Sequence, residues 1–285
     1  MPCAGPWIGS AEMGTHSSDC VATGQSLSRA KSKELVGRSQ APQEVEALSE
    51  SCKVAIVAAL EREVWPLVKD WSVRREEFDG RWFKFFDKDG MVLVCGGMGA
   101  EAARRATEAI ISLYRPELLI SAGFAGGLDP ALQVGHTLTP RHVIDVSDGS
   151  RTDSGFGEGV LISFADIADV EQKTRLGQTY GAHAVDMEAA AVARSAEAHG
   201  VKFLACKVIS DASGSSLPPI ARFISGDGKF HALRFLAHIA VRPWLWSGVQ
   251  RLASDSAMAA GKLCQVLTDV GKTHVAEKEE PVITR

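Results

Sequence analysis

Short, wholly apolar segments recur through the middle of this chain, each followed by a stretch of helical periodicity, and that alternation restricts the fold more than any other feature. The runs within Lys53–Ala59, Met91–Cys95, Leu118–Ile120, Val160–Phe164 and Phe203–Ile209 are too short for helices and are rich in branched residues. Strands apolar at nearly every position are buried on both faces. Between them, Val64, Leu67, Val68 and Trp71 mark one helix, and Ala100–Tyr114, Ile167–Leu176 and Asp186–His199 predict three more. The pattern predicts an α/β domain, with a central mixed, mostly parallel sheet covered by helices on both faces. A hairpin joins Trp82–Phe86 to Met91–Cys95 through Asp87-Lys88-Asp89-Gly90. A glycine turn, Gly123-Phe124-Ala125-Gly126-Gly127, closes the strand at Leu118, and Ser147–Gly159 reads as a loop. Two further helices, Phe230–Val241 and Leu245–Leu267, flank Pro243.

Residues 1–51 differ from the rest: rich in Ser, Gly, Ala and Gln, without a periodic apolar face or a continuous apolar signal segment. They are expected to be a disordered extension, with a single domain over 52–270 and a flexible tail over 271–285. The balance of 31 basic against 35 acidic residues, net −4, argues against a nucleic-acid partner. Six scattered cysteines show no metal-ligand spacing and read as reduced thiols, so no metal or other cofactor is expected. Arg234, His238 and Arg242 interrupt the most apolar stretch, and a soluble, cytoplasmic protein is expected.

Three acids lie where an open α/β sheet exposes side chains to a ligand, outside the carboxyl ends of strands. Asp211 ends the run Phe203–Ile209 with Ser210, Glu188 lies in Val185-Asp186-Met187-Glu188-Ala189, and Glu63 follows the first strand in Leu60-Glu61-Arg62-Glu63. Each also has a plainer reading. Glu188 is a first-turn acid favoured by the helix dipole, Asp211 and Ser210 form a turn or cap, and Glu63 is a solvated helix acid beside Glu61. Gly97-Met98-Gly99-Ala100-Glu101-Ala102 fits a weak dinucleotide fingerprint, but Ile120-Ser121-Ala122 lacks the ribose-binding acid. No phosphate-loop lysine and no nucleophile elbow is present. Two glycine turns would let backbone approach a flat ligand closely.

Taken together, Ala59-Leu60-Glu61-Arg62-Glu63-Val64, Ser121-Ala122-Gly123-Phe124-Ala125-Gly126-Gly127-Leu128, Val185-Asp186-Met187-Glu188-Ala189 and Ile209-Ser210-Asp211 resemble, in the same order, the nucleoside phosphorylase superfamily. The likeness is greatest to the 5′-methylthioadenosine/S-adenosylhomocysteine nucleosidases and spans Lys53–Ile224. It implies that Glu63 positions and activates the attacking water, and that Met187 and Glu188 hold the ribose, with Asp186 beside them. Asp211, with Ser210, implies a general acid at the purine's imidazole nitrogen, and Phe124, Ala125 and Gly126 a turn beside base and ribose. The chemistry agrees, since breaking an N-glycosidic bond builds positive charge on the sugar and negative charge on the departing base.

Three departures refine the expectation. Ser121 stands where the phosphorolytic enzymes carry a phosphate-clamping arginine, which favours water as nucleophile. Ile167 stands where the nucleosidases place an aromatic beside adenine, and the Ser147–Gly159 segment is shorter than theirs. The C-terminal part, with Ser210-Asp211-Ala212-Ser213-Gly214-Ser215-Ser216-Leu217-Pro218-Pro219, Arg242-Pro243 and Ser254-Asp255-Ser256-Ala257, is similar to the hopanoid-associated branch, which is thought to act on an adenosyl lipid. Phe230, Phe235, Ile239, Trp244 and Trp246 then form either a peripheral membrane contact or a core or dimer-interface helix. The implied activity is hydrolytic release of adenine from a 5′-substituted adenosine by a homodimer in methionine salvage. The alternatives are phosphorolysis of a purine nucleoside or adenosyl-hopanoid, with phosphate as partner, and a non-catalytic nucleoside-binding protein.

Overall fold

The computed structural model describes residues 52–226 and 228–276. The extension expected over 1–51 and the last residues of the expected tail lie outside the described residues. In chain order the elements are β1 (Val54–Ala58), α1 (Glu61–Val68), β2 (Ser72–Phe78), β3 (Arg81–Lys88), β4 (Met91–Cys95), α2 (Ala100–Tyr114) and β5 (Leu118–Gly127). There follow β6 (Thr137–Leu138), β7 (His142–Asp145), β8 (Arg151–Asp153), β9 (Val160–Ser163), α3 (Val170–Tyr180), β10 (Ala184–Asp186), α4 (Ala189–Ala198), β11 (Lys202–Asp211), α5 (Ala232–Ala240) and α6 (Trp246–Ala276).

The strands join one mixed sheet, in the order β2-β3-β4-β1-β5-β10-β9-β7-β8, with β11 on β5 and β6 on β11. Parallel pairing links β1 to β4 and β5, β11 to β5, and β9 to β7 and β10. Alternate residues of each central strand feed opposite cores, as the two-residue period of a strand requires. Ala55 and Val57 of β1 pack with Phe203, Ala205 and Ile209 of β11 under α2 and α4. Val54 and Ile56 pack with Leu204, Cys206 and Val208 under α1 and α6. The fold is therefore the α/β domain expected, with helices on both faces.

Several expectations change. The glycines at 123–127 do not close a strand. β5 runs straight through them for ten residues and exchanges neighbours on the way, pairing with β1 at Leu118–Ser121 and with β10 at Gly126 and Gly127. Gly123, at φ 155°, allows this because a β-carbon there would stand 3.2 Å from Glu63 Oε2. The helix expected from Ile167 begins at Val170, fixed by a capping box between Asp169 and Gln172. Asp186 ends a strand instead of opening a helix, since β10 must pair with β9 before α4 can start at Ala189. β2, whose Ser-Val-Arg-Arg-Glu-Glu-Phe sequence has no apolar periodicity, is an exposed edge strand held by β3. β8 forms within the expected loop by pairing with β7. α6 continues past Gly271, where the tail was expected to start. Among the described residues, no helix is long and apolar enough to cross a membrane.

Ile120 is 1 % exposed in the middle of β5, the strand that β1 and β11 both flank. Ile120→Ala should lower unfolding free energy by about 2–5 kcal/mol through the cavity it leaves, read as a lower denaturation midpoint at unchanged m-value.

Candidate active site

β11 and β10 both reach the far end of β5 at one residue. Gly126 is the partner of Val185 on one edge and of Asp211 on the other. That pairing gathers three sequence blocks, and Ala59–Glu63 adds a fourth where α1 follows β1. The register of β11 shifts between Ile209 and Asp211, and such a bulge re-aims the side chains beside it. Ser210 Oγ donates to Asp211 Oδ1 at 2.8 Å, and Ala125 O lies 3.5 Å away.

Glu63, Phe124, Ala125, Gly126, Ile167, Asp186, Met187, Glu188, Ser210 and Asp211 all line one cavity. Ile167 reaches it because α3 starts late and leaves that residue in the preceding loop.

Glu63 is 5 % exposed, and its Oε2 has no hydrogen-bond partner among the described residues. Burial, reinforced by the neighbouring Glu188, pushes its pKa up to about 8. Glu188 stands at the N-cap of α4, half-buried. Its Oε1 accepts from Gly99 N at 2.7 Å and its Oε2 from Met187 N at 3.3 Å. Loss of water, then the nearby Asp186, pushes it up to about 7. The Gly97-Met98-Gly99 turn thus gives an amide to a carboxylate of the protein itself, as an anion-binding turn would.

Two lysines complete the arrangement, and sequence reasoning missed both. Lys207 is 1 % exposed in β11, and its Nζ contacts Asp186 Oδ2 at 2.8 Å and donates to Ser121 Oγ at 3.1 Å. Burial opposes its charge, but Asp186 and Glu188 overcome this and raise its pKa. Lys173, also 1 % exposed, donates from α3 to Asp211 Oδ2 and, at 2.9 Å, to Ala212 O. The signal for Lys207 was a cation inside an otherwise apolar, fully buried strand. That for Lys173 was a cation three residues before Leu176, on the buried stripe of its helix. Asp186 has little left for a ligand: Oδ1 accepts from Ser163 Oγ at 2.6 Å, and Oδ2 from Ala189 N at 2.9 Å as well as Lys207.

The family model described as Phosphorylase superfamily matches residues 53–176 and 167–221, more than half of the chain. This chain belongs to the phosphorylase superfamily. A 5′-methylthioadenosine/S-adenosylhomocysteine nucleosidase of Marinomonas sp. (strain MWYL1) is 29 % identical, with 58 % of this chain and 88 % of the relative covered. The nucleosidase from Neisseria meningitidis, solved with methylthio-immucillin-A, has a TM-score of 0.58 at 19 % identity over 78 % of this chain and 99 % of its own. Futalosine hydrolase of Helicobacter pylori strain 26695 matches equally well, with a TM-score of 0.58 at 17 % identity over 80 % and 98 %. At such identities the two structures speak for the fold of this superfamily member.

Glu63 also carries a stability signature. Its folded pKa, about 8, lies above the ordinary carboxylate value of 4.5. Between those values the native state holds a proton that the unfolded chain has released, so stability falls as pH rises from about 5 to 8. Glu63→Gln should remove most of this slope. Its melting temperature should exceed that of the unaltered protein at pH 8 and above, by roughly 2–4 °C for each kcal/mol recovered, and converge with it near pH 5.

Proposed function

We propose that this chain is an enzyme that cleaves the N-glycosidic bond of a purine nucleoside, releasing adenine by hydrolysis from a 5′-substituted adenosine such as methylthioadenosine or S-adenosylhomocysteine. The observation that carries the reading is the buried, unpartnered Glu63 Oε2, on a cavity shared with Glu188 and Asp211. A buried carboxylate oxygen without a partner is costly unless something fills the place, and an attacking water fits it. A carboxylate poised near neutrality suits a general base. Glu63 takes the water's proton, and Met187 and Glu188 hold the ribose as positive charge grows on it. Phe124, Ala125, Gly126 and Ile167 flank the base, and Ser210 steadies Asp211, which gives the departing purine its proton. Asp186 serves through Lys207 and the start of α4.

Water is favoured over phosphate on electrostatic grounds. Five carboxylates, Glu63, Asp166, Asp186, Glu188 and Asp211, line the cavity, and Lys207, the ammonium beside Ser121, is already bound to Asp186. The two buried lysines are engaged by carboxylates, Lys207 by Asp186 and Lys173 by Asp211, and so are not free to clamp a phosphate dianion. Phosphorolysis, on a nucleoside or an adenosyl-hopanoid, is the second reading, and a binding protein without turnover is the third. Family resemblance supports a cytoplasmic homodimer in methionine salvage and nucleoside catabolism, which sedimentation of the purified protein tests for the oligomer.

The expected result is adenine release from methylthioadenosine or S-adenosylhomocysteine at the same rate with and without phosphate. A rate that requires phosphate would establish phosphorolysis, and binding without turnover the third reading. Asp211→Asn keeps an acceptor for Lys173 and should lower kcat by about a hundred- to ten-thousand-fold with the melting temperature little changed.

Of the side chains considered from the sequence for a membrane contact, Phe235 and Ile239 are buried and belong to the core reading, and Trp244 and Trp246 are exposed. Leu233, Leu236, Val241, Trp244 and Trp246 are exposed around α5 and the start of α6. Residues 228–254 contain Lys229, Arg234, Arg242 and Arg251 and no acid. Exposed tryptophan and leucine beside Arg234, Arg242 and Arg251 suit an anionic interface. The protein should co-sediment with phosphatidylserine vesicles and not with phosphatidylcholine vesicles, and the paired change Trp244→Ser, Trp246→Ser should abolish this.

A further inference from the structure

The proposed reaction leaves one buried charge without a task, the ammonium of Lys173. It lies 38 residues before Asp211 in the chain, yet its Nζ donates to Asp211 Oδ2 and to Ala212 O on the wall of the cavity. Packing does not call for it, because α3 already buries Leu176 beside Ile162 and Val185. Nor is stability a sufficient reason, since a buried ion pair recovers its desolvation cost poorly, and an apolar residue of similar size often serves as well. Gly126 lets the pair come up to the cavity wall, for a β-carbon there would stand 3.2 Å from Asp211 Oδ2 and 3.3 Å from Lys173 Cε.

The pair also answers a difficulty in the proposed chemistry. A carboxylate has no proton of its own to give, and the donor that reaches Asp211 Oδ2 is Lys173 Nζ. We infer that Lys173 stores the proton that the departing base requires and passes it through Asp211, an inference that rests on the function proposed above. As the bond from the sugar carbon to the base nitrogen breaks, the bonding electrons leave with the base. A ring nitrogen of the base takes a proton by way of the Asp211 carboxyl, and Asp211 takes its replacement from Lys173 Nζ. Water completes the sugar, and its surplus proton goes to Glu63. Lys173, then a neutral amine, regains a proton from solvent when the products leave. Ser210 occupies Oδ1 and Lys173 Oδ2, so both oxygens are oriented without being used up. Lys173 acts through Asp211 and does not itself meet the substrate.

Two substitutions separate storage of a proton from mere support. Lys173→Met removes the charge and leaves Asp211 to carry its own proton. Lys173→Arg keeps a cation and its donors, but a guanidinium does not release a proton. The other charged groups of the cavity, Arg62, Glu63, Asp166, Asp186 and Glu188, and Lys207 behind Asp186, stay in place in both variants. The measurements are kcat and KM for base release from pH 5 to 10, with thermal unfolding of each protein. For Lys173→Met, the alkaline limb of kcat/KM should move down by at least about one pH unit. For Lys173→Arg, kcat should fall by at least about tenfold with KM changed less than about threefold.

A Lys173→Met profile lowered in parallel at every pH, or a Lys173→Arg variant with native kcat, would overturn the inference. If Lys173→Met does not fold, the kcat of Lys173→Arg decides alone. Native protein that releases no base from any nucleoside would overturn the proposed function and this inference with it. Native turnover with unshifted variants overturns the inference only.

Discussion

The interior of this protein is organised around one buried cation, Lys207. An ammonium without water is prohibitively costly unless acids surround it, and acids packed together are equally costly without a cation. Lys207 meets both conditions by bonding Asp186 and Ser121. In doing so it ties β11 to β5 and to the junction from which α4 departs. Asp186 in turn anchors the first amide of α4 and accepts from Ser163 on β9, so the bond network of one ammonium spans four strands and a helix start. Glu63 and Glu188 lie close enough to feel the same charge, which lowers the cost of holding both in a site that otherwise pushes their pKa values up.

Two kinds of acid result, a few residues apart in space. Glu63 is buried and Glu188 half-buried without a hydrogen-bonded cation among the described residues, and their pKa values are raised to about 8 and about 7. Asp211 has Lys173 to itself. The backbone of β5 makes the division possible, because its glycines admit Glu63 at Gly123 and the Asp211–Lys173 pair at Gly126 with no side chain between.

Much of the fold was legible where local and tertiary requirements agree. Ala100–Tyr114 was bounded correctly because its helical stripe ends where Arg115 turns left-handed. The hairpin of β3 and β4 follows from Asp89 and Gly90, whose positive φ angles the turn needs. β2 escaped notice because an edge strand needs only a neighbour's hydrogen bonds, which leave no mark on composition. The glycines of β5 were misread for the opposite reason: glycine marks both a turn and a close approach, and only the neighbours distinguish them. Of the site, the three acids were visible from their places beside strand ends, whereas neither lysine was singled out, because nothing local to either shows the acid that it meets.

The sequence by itself determined the strand and helix alternation, the two-sided burial of the central strands, and the acids available to chemistry. Those are properties of short segments, set by the apolar period and by which residues end each run. Tertiary structure alone decided which acid is paired with a cation and which is buried without one. Charge state depends on what stands within a few ångströms, and Lys173 and Asp211 become neighbours only when β5, β10 and β11 meet at Gly126.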